Sequence, residues 1–370
     1  MTHKLTIAAT LLTLGLSLPA CAQSDAPLTP GREKALEHIS ATRLETHLSF
    51  LASDMLKGRD TPSEGLEAAA LYIASQFERA GLEPAAEGSW FQTADMYRFT
   101  DERGRQRIVS GERLPDGIEG EPVRLRNVAG LLRGSDPELR DTFILVSAHY
   151  DHVGIGRADA SGDSIYNGAN DNGSGTVTVV ELALAMGPSP PPGRSILFIT
   201  WFGEERGLLG SRWYAERPLV PLERTVANVN LEQVGRTDGD EGDQTGRLAF
   251  TGHTFSEVPA YFQEAGETVG IDIYHHEEYS APFFRMSDNI ALAGKGVPAH
   301  SATVAFQYED YHRPGDHWQK IDYRNMARTA RTLALGLYLM ADNPDPPGWN
   351  ESLPETRPYV DAWKALHGGR

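Results

Sequence analysis

The chain contains the run Phe143-Ile144-Leu145-Val146-Ser147-Ala148, followed by His149-Tyr150-Asp151-His152. A short stretch of apolar and small residues that ends in polar ones is typical of a strand buried on both faces. In open α/β sheets, ligands bind at the carboxyl ends of the strands, so polar side chains directly after such a strand indicate a ligand site. The stretch therefore predicts a central strand with a functional site at its end.

Other segments repeat this pattern on both sides of the run. Short apolar runs at residues 128–132, 196–202 and 226–231 predict further buried strands. Helical spacing of apolar residues predicts helices over 176–186 and 328–341, and two amphipathic helices upstream, over 36–51 and 68–80. Strands that alternate with helices favour an α/β fold, with a mixed, mainly parallel sheet and helices on both faces.

The first 22 residues resemble an export signal. Lys4 precedes an apolar run over 5–18, which is shorter than the roughly 20 residues of a membrane span. Leu18-Pro19-Ala20-Cys21 is typical of a lipoprotein processing site, and cleavage after Ala22 is the alternative, so the mature chain would begin at Cys21 or Gln23. We expect an exported protein of the bacterial periplasm or cell envelope, attached to a membrane only through a lipidated Cys21.

The remaining chain is predicted to hold one large unit. Residues 23–32 form a polar linker, 33–342 a single catalytic domain, and 343–370 a proline-rich, wrapped or loose tail. Residues 57–62 are predicted to be a loop, and 85–125 irregular or edge-strand structure. The 34 basic and 51 acidic residues give a net charge of −17, which excludes nucleic acid as a main partner.

His149 and Asp151 are the first candidate site residues. Two positions apart on an extended chain, their side chains leave the same face, so the carboxylate can lie behind the imidazole. A metal-bound histidine needs such a carboxylate to fix its tautomer. Alone, a His-x-Asp pattern is a weak signal, and its chance occurrence at the surface or in the core is the alternative interpretation.

Further candidates follow the other predicted strands. Asp171 lies in a glycine-rich stretch over 167–175 that precedes a helix, and a plain turn is its alternative interpretation. Glu204 and Glu205 follow the run at 196–202; one can ligate a metal while the other reaches a water, although a solvated acidic pair is the alternative. Glu232 ends the run at 226–231, and His312 lies in a loop. Zinc accepts this mixture of nitrogen and oxygen donors.

Five motifs resemble, in order, those of the co-catalytic zinc aminopeptidase family, whose relatives include glutamate carboxypeptidases and glutaminyl cyclases. They are Ser147-Ala148-His149-Tyr150-Asp151, Gly168-Ala169-Asn170-Asp171-Asn172-Gly173-Ser174-Gly175, Phe202-Gly203-Glu204-Glu205, Asn230-Leu231-Glu232 and Tyr311-His312. The likeness runs from about residue 51 to the last predicted helix and includes Ser287-Asp288-Asn289. The resemblance implies a zinc-exopeptidase-like fold.

The resemblance also implies the roles of the site residues. Two Zn²⁺ ions per chain would be held, one by His149, Asp171 and Glu232, the other by Asp171, Glu205 and His312. Glu204 would be the general base toward a metal-bridging water, and Asp151 would orient His149. Many members of the family have aspartate in place of Glu232, which puts this ligand in doubt. Tyr311 is a candidate for polarising the scissile carbonyl, with packing as its alternative role.

The function that the resemblance favours is a metallo-aminopeptidase acting on peptides with a free N-terminus. A glutaminyl cyclase-like acyltransferase with one zinc is an alternative on the same fold. A non-catalytic binding protein that retains the fold is the third, because a fold alone does not fix a function.

Overall fold

The computed structural model describes residues 28–368. The predicted export signal, with Cys21 and Gln23, lies outside the described residues. Within this range, no helix combines the length and the apolar character that crossing a membrane requires.

The strands of the described chain, in sequence order, are β1 (Glu83–Pro84), β2 (Phe91–Thr100), β3 (Gln106–Ser110), β4 (Glu121–Leu132), β5 (Phe143–His149), β6 (Gly154–Ile155), β7 (Ile165–Tyr166), β8 (Ser195–Trp201), β9 (Thr225–Leu231), β10 (Asp238–Gly239), β11 (Gly242–Asp243), β12 (Arg247–Phe250), β13 (Asp272–Tyr274) and β14 (Ala299–Thr303). Ten of them form one sheet in the order β13-β12-β14-β9-β5-β8-β4-β2-β3, with β1 paired to β4. The pairs β6–β7 and β10–β11 are small separate hairpins.

The helices, in the same order, are α1 (Pro30–His38), α2 (Ala41–Leu51), α3 (Glu64–Arg79), α4 (Gly175–Met186), α5 (Leu209–Glu216), α6 (Val258–Val269), α7 (Ser280–Phe283), α8 (Asn289–Ala293), α9 (Tyr323–Asp342) and α10 (Arg357–His367). Short 3₁₀ segments connect several of them, among them Asp54–Arg59.

The centre of the sheet is parallel and its β4 edge is antiparallel. β14, β9, β5 and β8 pair in parallel, whereas β8–β4, β4–β2 and β2–β3 are antiparallel. Residues 85–125, predicted to be irregular or edge-strand structure, thus supply mainly the antiparallel edge. The prediction of a mixed α/β sheet, mostly parallel in its core, is confirmed.

Two hydrophobic cores cover the two faces of the sheet. Along β5, Ile144 and Val146 point into the core formed with α1, α2, α3, α4, α6 and α9. Phe143 and Leu145 point into the core formed with α5, α8 and α10. Because successive side chains of a strand alternate between faces, every residue of β5 is buried, which explains its unbroken apolar pattern.

The structure corrects the predicted boundaries in three places. The helix predicted over 36–51 is two helices, α1 and α2, because Ser40 caps a new helix by accepting the Arg43 N–H. The linker predicted over 23–32 ends early, since α1 begins at Pro30. The loop predicted over 57–62 overlaps the 3₁₀ segment Asp54–Arg59.

The predicted tail packs against the domain. Trp349 and Tyr359 stack with ring centroids 5.2 Å apart, and Tyr359 on α10 is buried in the second core. The tail is therefore wrapped rather than loose.

Candidate metal centre

His149 and Glu232 lie side by side because their strands are neighbours. β5 and β9 pair in parallel with Ser147 opposite Asn230. Two positions further on, where side chains again point the same way, are His149 and Glu232. The Nε2 atom of His149 lies 3.2 Å from Glu232 Oε1.

Glu204 and Glu205 reach the same edge from the other side of β5. They follow β8, which pairs in parallel with β5. The chain turns at Gly203, whose φ of 68° is in the left-handed region that favours glycine. The Glu204 N–H donates to Asp151 Oδ1 at 3.0 Å, which ties this turn to the loop after β5.

Asp171 is presented by a buried turn, Ala169–Ser174, that leads into α4. Gly168 precedes this turn with a φ of 55°, and a Cβ atom there would lie 2.4 Å from the Asp171 carbonyl oxygen, so a larger residue does not fit. The N–H groups of Asn170 and Asp171 donate to the Asp316 carboxylate at 3.0 and 3.1 Å. These bonds fix the position of the Asp171 carboxylate.

Two groups of candidate ligands meet at Asp171. The first, the His149 group, consists of His149, Asp171 and Glu232. His149 Nε2 lies 3.4 Å from Asp171 Oδ1. Ser287 donates its hydroxyl to Glu232 Oε2 at 2.7 Å and so orients that carboxylate.

The second group, the His312 group, consists of His152, Asp171, Glu205 and His312. His312 Nε2 lies 2.9 Å from Asp171 Oδ2 and 3.1 Å from Glu205 Oε1. His152 Nδ1 lies 2.8 Å from the same Glu205 oxygen. Since Asp171 turns one oxygen to each group, its carboxylate is placed to bridge two cations.

Buried polar atoms test whether these residues fit a metal. His152 Nδ1, Asp171 Oδ2 and Glu205 Oε1 are all buried and have no hydrogen-bond partner within residues 28–368. Buried polar atoms in proteins are nearly always paired. A divalent cation among these nitrogen and oxygen donors would satisfy all three, and the donor set is one that zinc accepts. The residues present therefore fit a metal centre.

The two adjacent glutamates have opposite proton affinities. Burial raises the pKa of Glu204 well above its ordinary value, and the carboxylate of Glu205 adds to this. Burial and the charge of Asp171 also act to raise the pKa of Glu205, but the imidazoles of His152 and His312 outweigh them and lower it to about 2. Glu205 is thus a permanent anion, whereas Glu204 is the carboxylate that takes up a proton.

Asp151 acts on both sides of the site. Its carboxylate lies 3.6 Å from His149 Nδ1, too far for a hydrogen bond, whereas its carbonyl oxygen lies at 3.2 Å. The carboxylate accepts hydrogen bonds from the Glu204 N–H and from the Thr61 hydroxyl. Asp151 therefore orients His149 through its main chain and holds the Glu204 turn through its side chain.

A cleft opens over the His149 group. His149, Glu204 and Glu232 supply polar groups to it, and Phe283 and Phe306 supply apolar surface. The other residues that line it are Asp171, Gln233, Thr251, Met286, Ser287, Ser301, Thr303 and Tyr311.

Tyr311 lies at the rim of this cleft. Its ring stacks on His312 with centroids 4.1 Å apart, so it has a packing role. Burial raises the pKa of its hydroxyl, which keeps the phenol protonated and able to donate a hydrogen bond into the cleft.

The structure brings the predicted site residues together. All five predicted ligands belong to the two groups around Asp171: His149, Asp171, Glu205, Glu232 and His312. Glu204 lines the cleft beside them. Their role as metal ligands stays a prediction.

His152 belongs to the second ligand group, although no sequence motif predicted it. Three positions after His149, it would point to the opposite face of a continuing strand. β5 ends at His149, however, and the His152 N–H bonds to the Arg59 carbonyl oxygen, so the chain turns and both imidazoles face Asp171. The only signal in the sequence was a second histidine directly after the first motif.

Comparison with known sequences and structures supports a family relationship. Residues 127–336, more than half of the chain, match the sequence profile of peptidase family M28. A probable zinc metalloprotease of Pyrenophora teres f. teres (strain 0-1) is 28% identical over 215 residues, which are 57% of this chain and 42% of that protein. The chain thus spans less than half the length of such curated relatives.

Solved structures share the fold at low identity. The aminopeptidase from Aneurinibacillus sp. strain AM-1 superposes with a TM-score of 0.61 and 16% identity, covering 85% of this chain and 97% of that one. The glutaminyl cyclase of Porphyromonas gingivalis superposes with a TM-score of 0.59 and 16% identity, covering 81% and 98%. The likeness confirms the predicted fold. Because both chemistries occur on this architecture, the fold does not determine which reaction the site catalyses.

Proposed function

Because this chain belongs to peptidase family M28, we propose that it is a zinc-dependent exopeptidase, specifically an aminopeptidase that removes N-terminal residues from peptides. The observation that carries the proposal is the pair of ligand groups that share Asp171 beneath a cleft lined by Glu204. A catalytic base beside two adjacent cation sites is the arrangement that metal-assisted hydrolysis requires.

Two zinc ions per chain fit the two groups. Bound there, they would supply Lewis acidity that polarises a carbonyl group and lowers the pKa of water. The His149 group offers one imidazole and two carboxylates, and the His312 group includes Asp171 as the shared ligand. Both groups lack cysteine, which fits the single Cys21 of the sequence.

Glu204 is the proposed general base. It lines the cleft, and its raised pKa keeps it ready to accept a proton from the attacking water and deliver it to the leaving amine. Asp151 accepts the Glu204 N–H and so keeps the turn in place. The protonated Tyr311 hydroxyl at the rim is placed to donate a hydrogen bond to the substrate carbonyl.

The cleft also supports a preference for an apolar N-terminal residue. Phe283, Met286 and Phe306 are among its lining residues, and Met286 is 61% exposed, so it can cover a bound side chain. The carboxylates of Glu204 and Glu232 line the same cleft and attract a free α-ammonium group. A peptide with a free N-terminus and a large apolar first residue matches both kinds of lining residue.

The experiment is a zinc titration of chelated enzyme against a panel of aminoacyl anilides. We expect anilide release to rise with added zinc up to two equivalents and to be fastest for leucyl, methionyl and phenylalanyl substrates. The matched controls are the N-acetylated forms, which lack the charged amine. Equal cleavage of free and acetylated substrates would contradict the aminopeptidase assignment.

We also propose that the protein acts outside the cytoplasm, in the bacterial periplasm or cell envelope. The support is the sequence of residues 1–22, which resembles an export signal, with Cys21 in a stretch that resembles a lipoprotein processing site. Mass spectrometry of the mature N-terminus tests this. A diacylated Cys21 is expected, and a free Gln23 amine would exclude the lipid anchor.

A further inference from the structure

His152 is a buried histidine that the resemblance leaves without a role. Its exposed fraction is 0%, and neither ring nitrogen has a hydrogen-bond partner in the part of the chain that the structure describes. Leaving a buried polar group unpaired costs free energy. The imidazole ring therefore needs a binding partner other than a protein hydrogen-bonding group.

The position of the His152 ring indicates what this partner is. Its Nδ1 atom lies 2.8 Å from Glu205 Oε1 and 3.8 Å from Asp171 Oδ2. His312 Nε2 approaches the same two oxygens at 2.9 and 3.1 Å. Ligands at about 2.0–2.2 Å from a tetrahedral zinc are roughly 3.4 Å apart. The observed separations lie on both sides of that value, so one cation could contact all four atoms.

We propose that His152 is a direct metal ligand through Nδ1, and that the His312 group is a closed site of two imidazoles and two carboxylates that fills before the His149 group. This rests on the zinc-binding part of the proposed function. It adds a ligand to the three that the family resemblance implies, Asp171, Glu205 and His312.

The ligand sets of the two groups support this order of filling. Four side chains complete a tetrahedral zinc site, whereas three leave a position open, as in catalytic sites. The His312 group has four and the His149 group has three. The second imidazole also adds a nitrogen donor, which zinc favours.

The cleft points to the same division of roles. His149, Asp171, Glu204 and Glu232 line it, whereas His152, Glu205 and His312 are not among its lining residues. Substrate and attacking water would therefore meet the open His149 group beside Glu204, while the His312 group would hold Asp171 outside the cleft lining.

A role as a hydrogen-bond donor to Glu205 is the competing explanation. The 2.8 Å contact does not have hydrogen-bond geometry, since both His152 Nδ1 and Glu205 Oε1 remain unpartnered among residues 28–368. His152→Asn separates the two explanations, because its amide can still donate a hydrogen bond near the Nδ1 position but is a poor zinc ligand.

The experiment measures zinc K-edge X-ray absorption and zinc affinity in the chelated full-length protein, reloaded with one equivalent of zinc. We expect two imidazoles per zinc in the wild type and one in His152→Asn. In competition with a chromophoric chelator, the tighter dissociation constant of the variant should weaken by about 100-fold or more, at least the loss found for outer-shell partners of metal ligands. His149→Asn is the matched variant, and it should weaken only the second, looser zinc.

The outcomes separate the proposals. One imidazole per zinc in the wild type, or the same count in wild type and His152→Asn, would overturn the ligand role of His152 and leave the zinc peptidase intact. Weakened affinity with two imidazoles retained in the variant would also overturn it and favour the donor role. Failure of the wild type to bind zinc would instead overturn the proposed function. If His152→Asn does not fold, as judged by circular dichroism, the imidazole count of the wild type decides alone.

Discussion

At the scale of single residues, the site separates two glutamates that are neighbours in sequence. Glu205 is held as an anion by His152 and His312, and Glu204 is buried at the cleft with a raised pKa. The sequence could predict that the two had different roles, because both follow a strand end where only one can face a metal. It could not predict which imidazoles stabilise Glu205, because His152 turns back only after β5 ends.

Glu204→Gln tests the base assignment at this scale. The amide has nearly the same shape but cannot accept a proton, so we expect kcat to fall by about 10²- to 10⁴-fold. Zinc content should stay unchanged, because Glu204 belongs to neither ligand group. Measurement of kcat together with bound zinc checks both statements. Full activity in a zinc-loaded variant would reject Glu204 as the base.

At the scale of the elements, burial decided what the sequence could predict. The central strands β5, β8 and β9 are buried on both faces and are therefore continuous apolar runs. The strands β2 and β3, at the antiparallel end of the sheet, are partly exposed, and cross-strand ion pairs such as Arg124–Asp95 replace the apolar pattern there. Such strands are stabilised by pairing with their neighbours, which a local pattern does not show.

The segment Asp54–Arg59 holds the site loops together through one side chain. The buried Arg59 guanidinium donates to the carbonyl oxygens of Leu51, Tyr150, Asn167 and Gly168. It thereby joins α2 to the loops that carry the ligands. The sequence showed only a charged residue in a predicted loop. Its hydrogen-bond acceptors are main-chain oxygens, which every residue type has, so no sequence pattern indicates them.

Arg59→Met should therefore destabilise the protein. The apolar side chain leaves these buried oxygens without a donor, and hydrogen bonds to charged groups contribute about 1.5–3 kcal/mol each, so a loss of at least about 3 kcal/mol is expected. Urea unfolding of the variant measures it. Arg59→Lys keeps the charge but not the planar guanidinium, so its unfolding free energy should lie between those of the wild type and Arg59→Met. An unfolding free energy of Arg59→Met within about 0.5 kcal/mol of wild type, the range of ordinary surface substitutions, would contradict this role.

Strand β14 carries a histidine that makes stability depend on pH. Burial lowers the pKa of His300 to about 4; the main-chain oxygen of Thr251 accepts from its Nδ1 at 2.8 Å. Because the unfolded chain binds this proton near pH 6.5 and the folded chain only near pH 4, stability is fully present above pH 6.5 and is lost between these values as pH falls. The loss is about 3 kcal/mol.

His300→Gln removes this contribution. In chelated protein, we expect the wild type to be more stable than the variant at pH 7, and the difference to shrink by about 3 kcal/mol at pH 4. Urea unfolding at the two pH values measures it. If the stability difference between wild type and variant were equal at pH 7 and pH 4, the pKa of His300 would be the same in the folded and unfolded chain.

At the scale of the whole molecule, the parallel centre of the sheet brings the carboxyl ends of three strands to one edge. Glu204, Glu205 and Glu232, which follow β8 and β9, meet Asp171 there, so acidic groups are concentrated at one point of an acidic chain. Bound cations would relieve their repulsion. Topology made this convergence predictable once the strands were identified, because parallel neighbours end on the same side.

Metal removal should therefore lower the thermal stability of the molecule. At a free zinc concentration 100 times the dissociation constant, binding adds about 2.7 kcal/mol. For a large domain this corresponds to a shift in Tm of roughly 5 °C or more. A thermal scan with chelator, then with zinc restored, measures the shift, and magnesium in place of zinc is the control. An unchanged Tm would indicate that the ligand groups hold no metal.

Mass spectrometry of peptide products tests the proposed zinc aminopeptidase activity. The zinc-loaded protein is incubated with a leucine-initiated peptide, its N-acetylated form and a glutamine-initiated peptide. We expect loss of the N-terminal residue from the first peptide and no change in the acetylated one. Internal cleavage, or conversion of the glutamine-initiated peptide by loss of ammonia alone while the leucine-initiated peptide stays intact, would contradict it.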